Sequence, residues 1–254
     1  MPFTFAHPAL VLPLINKQKK ICSVTGLVIG SIIPDFESFL TLDEHKIYGH
    51  TWLGVFWFDL PLAIMAAFVF HGIVRDPLIK NLPAYFGHKF VHYINFKWGA
   101  YFRKHALMII ISMLIGIVSH LLWDAFTHLN LANPDATDSN ILVFNMRLYM
   151  ILQYSNSLIG LIIVCWYVIG LPTSPARKLP HGKQAFHIDT TIPSGKNKAA
   201  YWLILSVVAG MMIALSIHLS EGPVNIILLI EICISGILLG LIMTPLIQRL
   251  LRIV

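Results

Sequence analysis

The sequence predicts an all-α integral membrane protein, a polytopic bundle of about six transmembrane helices. Of its 254 residues, 57% are hydrophobic and 12% are charged, whereas soluble domains carry about 25% charged residues. The mean hydropathy is +0.74, and the apolar residues gather into segments long enough to cross a bilayer. These observations exclude a soluble globular domain.

Six apolar segments of about 20 residues each predict the transmembrane helices. The first segment is the weakest, because Pro34, Asp35 and Glu37 fall close to its end. The predicted spans are 21–40, 51–74, 106–128, 148–171, 199–219 and 224–247.

We expect one membrane domain, 1–254, with three parts. Residues 1–171 carry the candidate site, 172–198 form a cytoplasmic loop, and 199–254 supply the two C-terminal spans. Residues 83–104 interleave aromatic and basic side chains, which is typical of an amphipathic helix lying on the cytoplasmic leaflet. A Gly-x-x-x-Gly spacing, which lets two membrane helices pack closely, occurs at 26–30 and 236–240.

The distribution of Lys and Arg predicts the orientation. All basic residues except Lys46 and Arg147 lie on alternate loops and in the C-terminal tail. Because cytoplasmic loops carry an excess of these residues, we expect a cytoplasmic C-terminus. The net charge of +6 is spread over these loops, so we expect no nucleic-acid partner. The N-terminus lacks a basic region before an apolar run, and we expect no removable signal peptide.

Three polar residues share one face of the third predicted span. His120, Asp124 and His128 are spaced i, i+4 and i+8, so they drift by only about 40° around a helix. Ionisable groups inside a span are costly and indicate function by default. A His and an Asp one turn apart can bind the same metal ion, but they can also form a hydrogen-bonded pair that joins two helices.

Two further elements bring ligand-type residues to the same depth, near the outer face. Asp35 and Glu37 lie at the outer end of the first span, where Pro34 would disrupt the helix. His50 begins the second span. Oxygen and imidazole ligands without cysteine suit zinc, manganese or iron. A dication would cancel the charges of Asp35 and Asp124, although histidines could also supply the counter-charge.

His7 has two interpretations. The segment that follows it is too short and too rich in proline for a full span. A re-entrant or half-membrane N-terminal segment would bring His7 to the depth of the other ligands. Otherwise, His7 is an ordinary cytoplasmic histidine.

Four more polar residues are candidates for a supporting role. Asp59 and Glu231 lie inside predicted spans, where each could support the site, relay protons or simply accept hydrogen bonds between helices. Gln153 and Tyr154 lie early in the fourth span and could line the same outer cavity.

The sequence resembles a bacterial membrane family called domain of unknown function 4184, which is itself similar to inner-membrane metal-dependent hydrolases. The resemblance implies a metal centre whose ligands are His7, Asp35, His50, His120 and Asp124, and it implies hydrolysis only through distant relatives. The motifs that carry it lie within about the first 160 residues, at 1–14, 30–37, 50–61, 120–128 and 152–157.

The leading hypothesis is a metal-dependent hydrolase that cleaves an ester or phosphoester at the outer face of the membrane. We expect zinc, with manganese and iron as alternatives, and membrane lipid or a lipid-linked molecule as the partner. Glu37, or an aspartate that is not bound to metal, would be the general base. The rival hypothesis is an ion or solute transporter that uses the same residues, with a polar route that continues through Asp59 and Glu231 to the cytoplasm. A third hypothesis is a scaffold without catalysis.

Overall fold

The chain divides into two compact units. The first unit comprises residues 1–38, 45–67 and 99–170, and the second comprises 39–44, 68–98 and 171–254. The expectation of one membrane domain stays a prediction. A computed structural model describes residues 3–15, 21–42, 47–127, 142–143, 146–173, 195–220 and 223–251.

Within the described ranges, six helices are long and apolar enough to cross a membrane, which confirms the predicted all-α, multi-pass class. The second span continues beyond its predicted end at residue 74, and the third begins before its predicted start at residue 106. The spans are Val24–Thr41, Val55–Asn81, Trp98–Thr127, Met150–Gly170, Asn197–Leu219 and Ile226–Leu250.

The N-terminal segment of the first unit is a short apolar helix. Helix α1, Pro8–Val11, lies between 3-10 turns at Thr4–Ala6 and Leu12–Leu14. The segment packs closely on helix α8, Leu148–Gly170, since a Cβ at Gly160 would lie 2.7 Å from the Cβ of Ala6. The segment is therefore an integral part of the helix packing, while its half-membrane depth stays a prediction.

The first span is broken at its C-terminal end, as Pro34 predicts. Helix α2, Val24–Ile32, begins at Ser23, whose hydroxyl accepts a hydrogen bond from the backbone N–H of Gly26. The backbone then tightens into a 3-10 turn at Ile33–Asp35, because proline lacks the N–H that a continuing helix would use. Helix α3, Phe36–Thr41, completes the span.

Helix α7, Trp98–Thr127, packs against α2 through small residues. A Cβ at Gly116 would lie 2.5 Å from the carbonyl oxygen of Leu27 and 2.7 Å from the backbone nitrogen of Ser31. A Cβ at Gly30 would collide with the backbone of Met113. The two backbones therefore approach closely, as the Gly26-x-x-x-Gly30 spacing predicts.

The second span contains two π-helical segments. A π-helix at Val55–Asp59 leads into helix α4, Leu60–Val69, and a second at Phe70–Val74 leads into helix α5, Arg75–Asn81. Such segments widen the helix locally and are frequent at functional sites. The first of them follows the connection that carries His50. A two-residue hairpin pairs β1, Leu142–Val143, with β2, Met146–Arg147.

The second unit includes α5, helix α6 at Ala84–Phe90, and an antiparallel pair formed by α9, Gly195–Leu219, and α10, Ile226–Leu250. The α9–α10 pair is close at its glycines, since a Cβ at Gly240 would lie 3.0 Å from the carbonyl oxygen of Leu205.

The expected amphipathic helix over 83–104 is not continuous. Helix α6 ends at Phe90, and Asn95 adopts a left-handed conformation with φ of 62°, which asparagine tolerates better than most residues. Residues from Trp98 onward belong to α7. Lys89 is buried, and its ammonium donates a hydrogen bond to the carbonyl oxygen of Leu171 at 2.5 Å. This cation therefore has a structural partner within the second unit.

Candidate metal centre

Helix α7 brings His120 and Asp124 to one buried face. His120 Nδ1 lies 2.8 Å from the carbonyl oxygen of Ser31. A carbonyl oxygen can only accept, so Nδ1 carries a proton and Nε2 is the ring nitrogen left for a metal. Nε2 faces Asp35 Oδ1 and Asp124 Oδ2, each at 3.5 Å. The contact with α2 thus fixes the tautomer in which His120 can bind a metal.

Asp35 reaches the same place from the turn that Pro34 imposes. The side chain of Asp35 is 4% exposed, and its Oδ2 accepts a hydrogen bond of 2.5 Å from the hydroxyl of Thr4. That bond leaves Oδ1 directed at the histidines, 3.5 Å from His120 Nε2 and 3.7 Å from His50 Nε2. The N-terminal segment therefore orients a carboxylate contributed by the first span.

His50 comes from the connection before the second span. Its Nε2 lies 3.1 Å from Asp124 Oδ2. The side chain is 21% exposed, whereas those of Asp35, His120 and Asp124 are no more than 4% exposed. Access to the group is therefore easiest along the edge of His50.

His7 belongs to the same group of residues. The sequence alone had left open whether His7 joins this group or lies in the cytoplasm. Its Nε2 lies 3.6 Å from Asp124 Oδ1, and its ring stacks on that of His120 with 3.7 Å between centroids. Trp123 covers another side of the His7 ring at 5.5 Å. His7 is fully buried.

The geometry of this group fits a single cation. One ligand atom from each of Asp35, His50, His120 and Asp124 can be chosen so that all four lie within 4.8 Å of one another. Atoms bound about 2.1 Å from a metal lie about 3.0 to 3.4 Å apart in octahedral or tetrahedral arrangements. Most of the N···O distances here, at 3.5 to 3.7 Å, are too long for hydrogen bonds but close to those separations. The residues could therefore bind a metal ion with small movements.

The charges also fit a divalent cation. Asp35 and Asp124 lie in a poorly solvated place, with side chains only 4% exposed. Two ionised carboxylates at this distance would repel each other without a counter-charge. A dication balances both, and a donor set of imidazole and carboxylate suits zinc, manganese or iron equally.

Glu37 binds the backbone of the segment that carries His50, and its expected role as general base stays a prediction. Its carboxylate accepts hydrogen bonds from the backbone N–H groups of Ile47, Tyr48 and Gly49, at 2.9, 3.0 and 2.7 Å. The carboxylate is thus committed to holding the chain that leads into His50. The geometry gives Glu37 a positioning role at the entrance of the second span.

Asp59 lies beside the same turn. It is fully buried in the first π-helix, and a Cβ at Gly49 would lie 3.3 Å from Asp59 Oδ1 and 3.3 Å from Glu37 Oε2. The same Cβ would lie 2.6 Å from the carbonyl oxygen of Pro34, so the close approach of this backbone requires glycine. Asp59 lies beside the residue that precedes His50, and its supporting role stays a prediction.

The other candidates from the sequence have different outcomes. Tyr154 is 61% exposed, so it does not line a closed cavity. Gln153 uses its backbone carbonyl to accept from the hydroxyl of Ser157, and its predicted role in a cavity stays a prediction. Glu231 lies in α10 of the second unit, and its supporting role also stays a prediction. His128 lies outside the described residues.

Sequence reasoning missed Thr4, Ser31 and Trp123. Thr4 precedes His7 by three residues, which is one turn of helix, so this spacing was an available signal. Ser31 acts through its backbone carbonyl and Trp123 through its ring. A backbone contact of this kind leaves no trace in residue type.

Comparison with known proteins identifies a family but no activity. The family model described as a domain of unknown function (DUF4184) matches residues 1–246, which extends well beyond the motifs in the first part of the chain. No match was found among curated proteins or among solved structures.

Proposed function

The chain belongs to the DUF4184 family, and we propose that it is a metal-dependent hydrolase that cleaves an ester or phosphoester at the membrane surface. The observation that carries the proposal is the convergence of three histidines and two aspartates from separate elements of the first unit. A bound divalent metal would polarise a substrate oxygen and lower the pKa of a water molecule. Both effects accelerate hydrolysis.

The protein residues would divide the remaining work. Asp35 Oδ2 is already held by Thr4, so Asp35 Oδ1 and one oxygen of Asp124 would bind the cation. The second oxygen of Asp124 would accept the proton of the attacking water. His120 is locked by Ser31 in its metal-binding tautomer. His50 is the partly exposed ligand, and its edge is where the substrate would approach. A catalytic metal site also keeps one coordination position open for water or substrate.

The transporter hypothesis needs a polar route that continues from the metal-binding group along the span. The face of α7 that leads from His120 toward the N-terminus of this helix carries Ile117, Met113 and Ile109, all fully buried. An apolar stripe of this length does not solvate a translocating ion. This face of α7 therefore offers no polar route, while the route through Asp59 and Glu231 stays a prediction.

We assign the site to the outer face of a bacterial inner membrane. The assignment rests on the distribution of Lys and Arg, because the loops on the side of His50 carry very few of them. At that surface the centre would meet both water and the ester groups of lipids.

Metal analysis and hydrolysis assays on the detergent-purified protein test the proposal together. We expect wild type to contain a transition metal near one equivalent after growth with zinc, manganese and iron available, and to hydrolyse aryl esters or aryl phosphodiesters. His50→Ala should lose metal and activity together. His88→Ala is the matched control, because His88 is exposed in α6 and should change neither. Wild type that binds metal but cleaves neither substrate class would refute the hydrolase, and wild type without metal would refute the centre.

A further inference from the structure

The connection that carries His50 has an unusual surface for a loop between two spans. Residues 47–53 are not helical, and three of their large apolar side chains point outward: Ile47 and Trp52 are each 65% exposed, and Leu53 is 74% exposed. Phe56, in the π-helix that follows, is 64% exposed. A connection in bulk water would leave these side chains hydrated at high cost. They are better accommodated where head groups meet acyl chains, the region in which Trp is enriched.

This connection is held rigidly. Glu37 accepts hydrogen bonds from three consecutive backbone N–H groups within it. Thr51 accepts from the backbone N–H of Gly54 at 2.9 Å and donates to the carbonyl oxygen of Tyr48 at 2.9 Å. The apolar side chains therefore cannot turn inward without breaking these bonds, so their outward orientation is a property of the fold.

The same connection holds the one partly exposed residue of the metal-binding group, His50. Residues 47–59 contain no Lys or Arg that would attract a water-soluble anion. A substrate that reaches His50 along this segment therefore passes its apolar side chains, and the segment itself offers no cation. These features match a molecule with a polar ester group and an acyl chain.

We propose that the substrate is an amphiphile of the surrounding leaflet, which enters past His50 with its ester or phosphoester group toward the metal-binding residues and its acyl chain along Trp52, Leu53 and Phe56. This inference rests on the proposed function and names its substrate class. A soluble ester would gain nothing from this apolar edge.

The position of the edge can be measured without any activity. In a background whose native cysteines are replaced, Leu53→Cys is labelled with a nitroxide in lipid nanodiscs. A label in lipid collides more often with dissolved oxygen than with a water-soluble nickel chelate, and we expect this result for Leu53. Ile162→Cys, on the exposed face of α8, is the reference for lipid. Thr173→Cys, exposed beyond α8, is the reference for water. A Leu53 label with the accessibility of the Thr173 label would overturn the proposal.

Substrate selectivity is tested with alkyl phosphonates, which mimic a phosphoester and are not hydrolysed. Their binding to cobalt-loaded protein in nanodiscs is followed through the visible spectrum of the metal. We expect decylphosphonate to bind at least tenfold more tightly than methylphosphonate in wild type, and this ratio to fall at least fivefold in Leu53→Gln. Leu158→Gln, on the exposed face of α8, should keep the wild-type ratio. The phosphonates partition into the same bilayer around both variants, so a difference between the variants reports the protein surface.

The outcomes separate the two proposals. If the ratio falls equally in Leu158→Gln, or does not fall in Leu53→Gln, the bilayer alone concentrates the long chain. Either result overturns the proposed entry past His50. Tight binding of phosphonates with no turnover of any ester would instead refute the hydrolase while leaving an amphiphile-binding metal site.

Discussion

Replacing Asp124 with Asn separates a metal centre from a network that only joins helices. Asp124 faces all three histidines, with His50 Nε2 at 3.1 Å, His120 Nε2 at 3.5 Å and His7 Nε2 at 3.6 Å. Asn has nearly the same shape but no charge. In a metal centre the variant loses a ligand that the other residues cannot replace, so the metal-loaded state should be strongly weakened.

The magnitude follows from mass action. A ligand present at 100 times its Kd stabilises the folded state by about 2.7 kcal/mol. At about 2 to 4 °C for each kcal/mol in a protein of this size, chelation should lower the Tm of wild type by roughly 5 to 10 °C. Asp124→Asn should show almost no such shift. In the presence of chelator it should melt at or above wild type, because one of two buried carboxylate charges has been removed.

The measurement is thermal unfolding in detergent, with and without a chelator and added zinc. His88→Ala, which alters an exposed histidine of α6, should respond to chelator as wild type does. A network that only joins helices predicts the opposite pattern. Asp124→Asn would then melt below wild type in every condition, and chelator would move neither protein. That result would refute the metal centre.

Three further predictions follow from the packing and the charge distribution. Glu37→Gln should weaken metal affinity by about 10- to 100-fold, measured by competition with a chromophoric chelator, whereas a general base would lose turnover and keep its metal. Gly116→Ala should destabilise the protein by about 1 to 3 kcal/mol, because the new Cβ would collide with the backbone of α2. Gly210→Ala is the control in the same melting assay. A Cβ at Gly210 would meet no atom within 4 Å, so this variant should be neutral or slightly more stable. Ser139→Cys should be labelled by an impermeant thiol reagent in whole cells and Ser194→Cys should not, and the reverse pattern would invert the proposed orientation.

The six spans and the pairing of His120 with Asp124, two candidate ligands, follow from local sequence. A bilayer demands about 20 apolar residues for each helix, so composition and segment length determine the number of spans. His120 and Asp124 lie one turn apart on a single helix, and helix periodicity is enough to place them on one face. Pro34 marks the break that turns Asp35 out of its helix for an equally local reason.

The position of His7 and the binding partners of Glu37 could be found only from the tertiary structure. The sequence offered His7 either a buried or a cytoplasmic position, and the packing of α1 on α8 decides it by bringing His7 Nε2 within 3.6 Å of Asp124. Glu37 has the residue type and depth of a base, but its carboxylate is occupied by backbone N–H groups of a segment ten residues away. Backbone donors are the same at every residue, so no pattern of side chains reveals them.

By itself, the sequence determined an all-α membrane protein, its six spans and the set of residue types that converge near one end of them. Hydropathy and helix periodicity are local quantities, and they survive without knowledge of any neighbour. Only the tertiary structure decided which of those residues meet, which tautomer His120 adopts and which ligand remains accessible. Each of these depends on contacts between residues far apart in the chain, such as His120 with Ser31 and Thr4 with Asp35, and such contacts exist only once the helices have packed.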